Sequence, residues 1–440
     1  MSSTLESIAR RIVQRFREAG HVAYYAGGCV RDMLLGQEPH DYDIATGARP
    51  DQVQALFRKT YAVGVHFGVI VVCEDGREFQ VATFRSDGSY IDGRHPSDVT
   101  FSTPQMDAER RDFTVNGMFF DPIAGEVIDY VDGATDLKRG LLCAIGDPAA
   151  RIREDRLRML RAVRFATVLD FKIEAATWTA IRQSADAIHQ VSAERIREEL
   201  VKTLQHPNRL RGFDLLDDSG LLREVLPEME SLKGCTQPEQ FHPEGDVFVH
   251  TRAMLELLSK EPLSASLVFS ILLHDISKPA TRTVDPDGRI RFNGHDKAGA
   301  EVTRAIMERL KFSRAEIDAT VEAVAQHMVF KDVQQMRVAK LKRFMARPNF
   351  EEELELHRVD CTSSHGMLDN YEFLRSKKEE FASEPLIPEP LVTGHDLIEL
   401  GLKPGPRFKE ILEAVQSRQL EGTLTSPQEA RDWVKAELLG

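Results

Sequence analysis

Gly27-Gly28-Cys29-Val30-Arg31-Asp32, followed shortly by Asp41-Tyr42-Asp43-Ile44-Ala45-Thr46, is the stretch on which the reading of this chain turns. An apolar run at 22–26 predicts a strand, and Val30 to Leu35 predicts a helix. Glycines at such a junction form a turn, and they also let backbone N–H groups approach a phosphate where a helix begins. On a strand, Asp41 and Asp43 point the same way. Carboxylates that close repel unless a hard divalent cation sits between them; the alternative is a strand end with two solvated acids. Turn and acid pair together point to a Mg²⁺ site for phosphoryl or nucleotidyl transfer.

Outward from this stretch the pattern is mixed. Helix signals at 5–18, where Ile8, Ile12 and Phe16 recur, and at 50–58 alternate with strand signals at 21–26, 69–73 and 79–84. Glu74-Asp75-Gly76-Arg77 reads as a hairpin turn. Beyond Arg151 the strand signals nearly vanish. Leu157, Leu160, Val163 and Phe165 mark one helix; Ile196, Leu200 and Leu204 mark another. Proline breaks at Leu226-Pro227-Glu228, Thr236-Gln237-Pro238 and 385–390 divide the helical part. The fold class read from this is α+β, an α+β head followed by a long helical body.

With 440 residues, 42% hydrophobic and 29% charged, wholesale disorder and collagen-like repeats are excluded. Five scattered cysteines without a C-x-x-C pair read as reduced thiols. No signal core opens the chain and no apolar stretch is long enough to span a bilayer, so a cytoplasmic protein with no membrane partner is expected. A net charge of −13 argues against a surface that grips nucleic acid everywhere. Residues 151–215, however, hold 13 Lys and Arg against 9 Asp and Glu, a local +4 suited to RNA.

The opening motifs resemble the head of class II tRNA nucleotidyltransferases, the family of CCA-adding enzymes and their poly(A) polymerase relatives. The likeness continues through Arg110-Arg111-Asp112-Phe113-Thr114-Val115-Asn116-Gly117, Asp129-Tyr130-Val131-Asp132-Gly133 and Asp136-Leu137. It runs on through Glu154-Asp155-Arg156-Leu157-Arg158 and Glu194-Arg195-Ile196-Arg197. The resemblance implies a polymerase-β-like head with a mixed sheet over 1–150 and a helical neck with base- and RNA-recognition motifs over 151–222. An HD-type helical domain over 223–385 and a helical tail over 386–440 would follow. It also implies template-independent addition of C and A to the 3′ end of tRNA from CTP and ATP.

By the same resemblance Asp41 and Asp43 are catalytic and hold two Mg²⁺. Gly27, Gly28, Arg31 and Arg111 would meet the triphosphate. Asp32 either orients Arg31 or forms a structural ion pair with it. Asp112 and Asn116 would recognise the ribose. Asp155 and Arg158, three apart on a predicted helix, read either as an ion pair or, by resemblance, as the template. An Asp acceptor beside an Arg donor suits the amine and ring nitrogen of cytosine or adenine and rejects uracil. One departure stands out: Gln80 occupies a position that is acidic in the family, and Glu78 lies two residues earlier on the same face. The long segment 86–108 disfavours a CC-only enzyme, while addition of the terminal A alone stays open. A poly(A) polymerase is the other alternative, the weaker one because Val63-Gly64-Val65-His66-Phe67-Gly68 lacks the basic signature of those relatives.

In the second half, His274-Asp275 closes the apolar run 267–273. Burying a carboxylate there is expensive unless a cation offsets it. With His250 upstream and His295, His327 and Asp360 downstream, the order resembles the HD metal-dependent phosphohydrolases. That resemblance implies one divalent metal on His250, His274, Asp275 and Asp360, with His295 and His327 completing a second site. His242 is an accessory candidate. Single-metal and purely structural versions stay open, as do an HD phosphohydrolase with an inactive head and a non-catalytic tRNA-binding protein. His395-Asp396, beside Gly394, reads as a helix start.

Overall fold

The computed structural model describes residues 4–64, 68–87, 99–261 and 263–438. They form two compact units, Met1–Pro227 and Glu228–Gly440. Among the described residues no helix is long and apolar enough to cross a membrane.

The first unit is built on strands β1 (Ala23–Ala26), β2 (Ile44–Thr46), β3 (Thr60–Gly64), β4 (Val69–Glu74), β5 (Arg77–Thr83), β8 (Phe119–Asp121) and β9 (Glu126–Ile128). Between them, β6 (Arg85–Asp87) and β7 (Val99–Phe101) form a separate ribbon. The main sheet runs β3-β4-β5-β2-β1-β8-β9. It is mixed: β2 and β5 are parallel, and every other pair is antiparallel. The β4–β5 turn is tight because Asp75 and Gly76 both take positive φ, the geometry a two-residue hairpin needs. Alternation places Ile70 and Val72 of β4, and Phe79 and Val81 of β5, in the core. Helix Leu5–Glu18 turns Ile8, Ile12 and Phe16 inward, and Thr4 caps its start.

Two expectations of local structure are corrected. β2 begins at Ile44, so Asp41 and Asp43 lie in the loop leading into it. They still share a side, because Tyr42 between them is buried while both aspartates are exposed. Asp155 and Arg158 do not share one helix. Helix Pro148–Glu154 ends at Asp155, whose φ of −143° and ψ of 106° are extended, and a new helix runs Arg158–Val168.

The helices beyond residue 150 are stitched to what precedes them. β10 (Leu141–Leu142) pairs in parallel with β11 (Lys172–Ile173). In the second unit, helix Ala265–Leu273 is buried on all sides. A small hairpin of β12 (Thr283–Val284) and β13 (Ile290–Arg291) interrupts the helices; two-residue strands give no readable alternation in sequence. Phe330, Phe344, Phe350 and Leu374 centre one core; Val392, Leu397, Ile411 and Val434 centre another. Helix Gly394–Glu399 starts at a capping box in which Thr393 and Asp396 satisfy each other, as His395-Asp396 predicted.

Candidate functional sites

One cavity of about 800 Å³ gathers the sequence-predicted residues of the first unit: Gly27, Gly28, Arg31, Asp41, Asp43, Arg111, Asp112, Asn116, Asp155 and Arg158. Gln80, Arg85, Arg110, Arg161, Arg164, Phe165 and Lys202 complete its wall. The parallel register puts Ile44 opposite Val81, which brings Gln80 to the Asp43 end of the cleft. Glu78 is not part of the lining.

Gly27 sits where the chain leaves β1. Its φ of 72° and ψ of −127° belong to a region only glycine enters freely. A Cβ there would lie 3.1 Å from Nη1 of Arg111. From this turn a chain of hydrogen bonds crosses the cleft. Arg31 donates through Nε and Nη2 to Asp32 Oδ1 at 2.9 and 2.7 Å, and through Nη1 to Asn116 Oδ1 at 2.7 Å. Asn116 Nδ2 donates to Asp112 Oδ1 at 3.2 Å. Asp112 Oδ2 accepts from Arg161 Nε and Nη2 at 2.8 and 2.6 Å. Asp32 is therefore paired with Arg31, the contact that both readings of it require. Arg111 is held separately by Asp107 and the Asn116 carbonyl.

The electrostatics follow from these partners. Burial alone would raise the Asp112 carboxyl, but Arg161 and the hydrogen-bond donors around it hold it below the usual carboxylate range. Asp43 goes the other way: although the residue is exposed, the protein atoms crowding its carboxyl and the neighbouring Asp41 charge push it up to about 6. That surplus negative charge, on an all-oxygen donor pair, fits a hard divalent cation such as Mg²⁺. Deeper along the cleft, Arg195 Nη2 donates to Asp155 Oδ2 at 2.8 Å, and Arg158 Nη1 donates to Glu154 Oε2 at 2.6 Å. Of the two readings of Asp155 and Arg158, the mutual ion pair is not formed: each has a different partner, and both side chains line the cavity.

A second site lies in the other unit. His250 and His274 are fully buried, and Asp275, His295, His327 and Asp360 line a cavity of about 580 Å³. Asp275 is shared: Oδ2 lies 3.1 Å from His274 Nε2, and Oδ1 lies 3.4 and 3.8 Å from the Nε2 atoms of His295 and His327. His250 Nε2 is 3.1 Å from Asp360 Oδ1. Lys278 Nζ, 2.6 Å from Asp275 Oδ2, is a neighbour that sequence reasoning missed. Burial would lower the His250 pKa, but Asp360 and Glu244 outweigh it and raise it to about 9. Burial pushes His327 down to about 4. The Nε2 atoms of His250 and His274 are buried with no well-formed hydrogen bond. Imidazole nitrogens and carboxylate oxygens about 3 Å apart match the spacing of neighbouring ligands around a divalent ion bound at about 2.1 Å. The residues present fit such an ion.

Arg161, Arg164 and Lys202 also escaped the sequence reading, and Arg110 stands there in a motif without an assigned role. The first three look like ordinary helical surface charges until the fold turns them into the cleft. Residues 88–98 of the long segment and 65–67 of the Val63–Gly68 stretch fall outside the described residues.

Three stretches match known family models: the Poly A polymerase head domain over residues 23–143, the probable RNA and SrmB-binding site of polymerase A over 170–233, and the HD domain over 247–363. The chain is 41% identical over 228 residues to a CCA-adding enzyme of Limosilactobacillus reuteri, covering 52% of this chain and 56% of that protein. It thus spans little more than half the length of that relative. A CCA-adding enzyme of Ligilactobacillus salivarius is 32% identical over 421 residues, covering 95% of this chain and 93% of the relative. Among solved structures, that of the Bacillus stearothermophilus CCA-adding enzyme in complex with CTP superposes with a TM-score of 0.75 at 26% identity. The match covers 98% of this chain and 97% of that one.

Proposed function

This chain belongs to the family of CCA-adding enzymes, and from that premise we propose that it adds C and A, without a template, to the 3′ end of tRNA. One observation carries the reading: the acid pair Asp41 and Asp43 and the base-sized recognition groups Asp155 and Arg158 face a single arginine-rich cavity. CTP and ATP are the donors, and the RNA 3′-hydroxyl attacks the α-phosphorus with loss of pyrophosphate.

Asp41 and Asp43 would hold two Mg²⁺, whose charge activates the hydroxyl and neutralises the triphosphate. The protein's own groups do the rest. Arg31 and Arg111, both fixed by acidic partners, present guanidinium edges to phosphate oxygens. The absence of a Cβ at Gly27 lets the main chain and Arg111 approach the same place. Asn116 and Asp112 face the ribose while tied to Arg31 on one side and Arg161 on the other. Asp155 accepts from the exocyclic amine of cytosine or adenine, and Arg158 donates to the adjacent ring nitrogen. Uracil presents a carbonyl to Asp155, which sets an acceptor against an acceptor. Residues 151–222, with their positive balance, form the neck that meets RNA.

The test feeds labelled CTP and ATP, singly and together, to tRNAs truncated before the first C, the second C or the final A. Complete CCA addition is expected. Incorporation of A alone would replace this reading with an A-adding enzyme, and no incorporation would refute it.

The second unit supports a further reading, an HD phosphohydrolase. The observation favouring it is the cluster of His274, His295 and His327 around Asp275, with His250 grouped beside His274 and Asp275. These residues and Asp360 would hold a divalent metal that supplies a nucleophilic water and charge neutralisation. Metal-dependent hydrolysis of phosphate esters, lost in Asp275→Asn, is the expected result.

A further inference from the structure

The four histidines of the HD cluster point inward for a common reason. Each has an oxygen acceptor against Nδ1, which leaves Nε2 facing the centre. For three of them the acceptor is a main-chain carbonyl: Ile271 for His274 at 2.9 Å, Phe292 for His295 at 2.6 Å and Val324 for His327 at 2.6 Å. These arise from the backbone and no substitution removes them.

His250 is different. Its Nδ1 lies 2.7 Å from Oε1 of Glu244, a side chain, with the Ser363 hydroxyl farther off at 3.3 Å. The same Oε1 accepts from His242 Nδ1 at 2.9 Å, and Oε2 is buried without a partner. Glu244 is itself well placed to hold still. It stands two residues before Asp246, which caps helix Val247–Leu257 and accepts from the Gly234 amide at 2.6 Å. A bridge between Thr236 and Asp246 closes the loop that carries it.

We propose that Glu244 is the positioning residue of the HD metal centre: its carboxylate holds His250 with Nδ1–H outward and Nε2 toward the metal, and raises the donor strength of that nitrogen. The proposal rests on the metal-site reading of the cluster given above. Glu244 acts through His250 and does not itself ligate, because its near oxygen is already occupied by two ring N–H groups. Removing such an outer partner weakens metal binding by about 10- to 100-fold.

The test uses the full chain with Asp41→Asn and Asp43→Asn, so that Co²⁺ titrated by calorimetry reports the HD cluster. Glu244→Gln keeps a neutral acceptor and the same shape; Glu244→Leu keeps neither charge nor acceptor. Melting curves verify folding, and proton–nitrogen spectra of histidine-labelled protein follow the hydrogen-bonded Nδ1–H of His250, which is present with or without metal. The expected result is a graded loss, about 10-fold for Gln and up to about 100-fold for Leu. The downfield Nδ1–H signal should disappear in the Leu variant. Binding of Co²⁺ by Glu244→Leu within threefold of the parent overturns the positioning role while leaving the metal site intact. Failure of the parent itself to bind Co²⁺, with the His250 signal still present, overturns the metal-site reading and the proposal with it.

Discussion

Arg161→Ala tests the link between the cleft and the helices beyond it. Asp112 is 8% exposed and its Oδ2 depends on two hydrogen bonds from Arg161. Removing one partner of a buried ion pair costs about 3–5 kcal/mol, because the remaining charge is stranded. The Arg161 side chain is 33% exposed, so solvent screens part of the interaction. The lower end, about 3 kcal/mol, is the expected loss. In a unit of this size that is a fall of roughly 6–12 °C in its melting transition. The sign of the pH dependence follows from the depressed Asp112 carboxyl. In the parent, its contribution is full above the unfolded value of about 3.9 and is lost as pH falls through the folded one. In the variant the stranded carboxyl escapes by protonation, so the gap to the parent widens from about pH 4 toward neutrality. Asp112→Asn in the Arg161→Ala background should recover much of the loss, giving a coupling of about 2 kcal/mol. Urea and thermal unfolding at several pH values provide the measurement. A cost below about 0.5 kcal/mol, or one that is flat with pH, would refute the stranded-charge argument.

Other outcomes follow from the same geometry. Asp43→Asn should abolish nucleotide incorporation yet raise the metal-free melting temperature at pH 7.5. The penalty on the ionised Asp43 is full above about 6 and absent below the ordinary carboxylate value, so the two proteins should melt alike near pH 4. A variant no more stable than its parent at neutral pH would contradict this. Gly27→Ala forces a strained backbone and presses on Arg111; a loss of about 1–3 kcal/mol and a raised KM for CTP are expected. An unchanged urea midpoint with an unchanged KM would count against the phosphate role. Arg158→Ala should degrade discrimination against UTP more than it affects triphosphate binding; competition between CTP and UTP reads the ratio, and an intact ratio would dismiss Arg158 as a base reader.

Much of the fold was legible because its signals are local. The period-two alternation of β4 and β5 and the helical spacing of Ile8, Ile12 and Phe16 appear as such in the structure. What sequence could not show was partnership across distance. Asp155 and Arg158 are near neighbours, yet a helix break between them gives each a different partner, and nothing in their spacing reveals Arg195. Arg161 and Lys202 reach the cleft only because helices beyond residue 150 pack against the sheet-bearing part. Glu244 carries no signal of its own beside His242, since an acid in a short proline- and glycine-bounded loop resembles any surface charge. Motifs identify the groups that do chemistry; the groups that aim them are visible only after folding.

The parallel pairing of β10 with β11 bears on how this enzyme family can be taken apart and recombined. Leu141–Leu142 and Lys172–Ile173 are joined strand to strand, and Asp112 is joined to Arg161 over the same divide. A fragment ending near residue 150 would expose an unpaired strand edge and an orphaned acid at once. The compact unit Met1–Pro227 contains both sides of each seam. Chimeras joined at 150 would have to match both seams, whereas a junction at 227 leaves each intact.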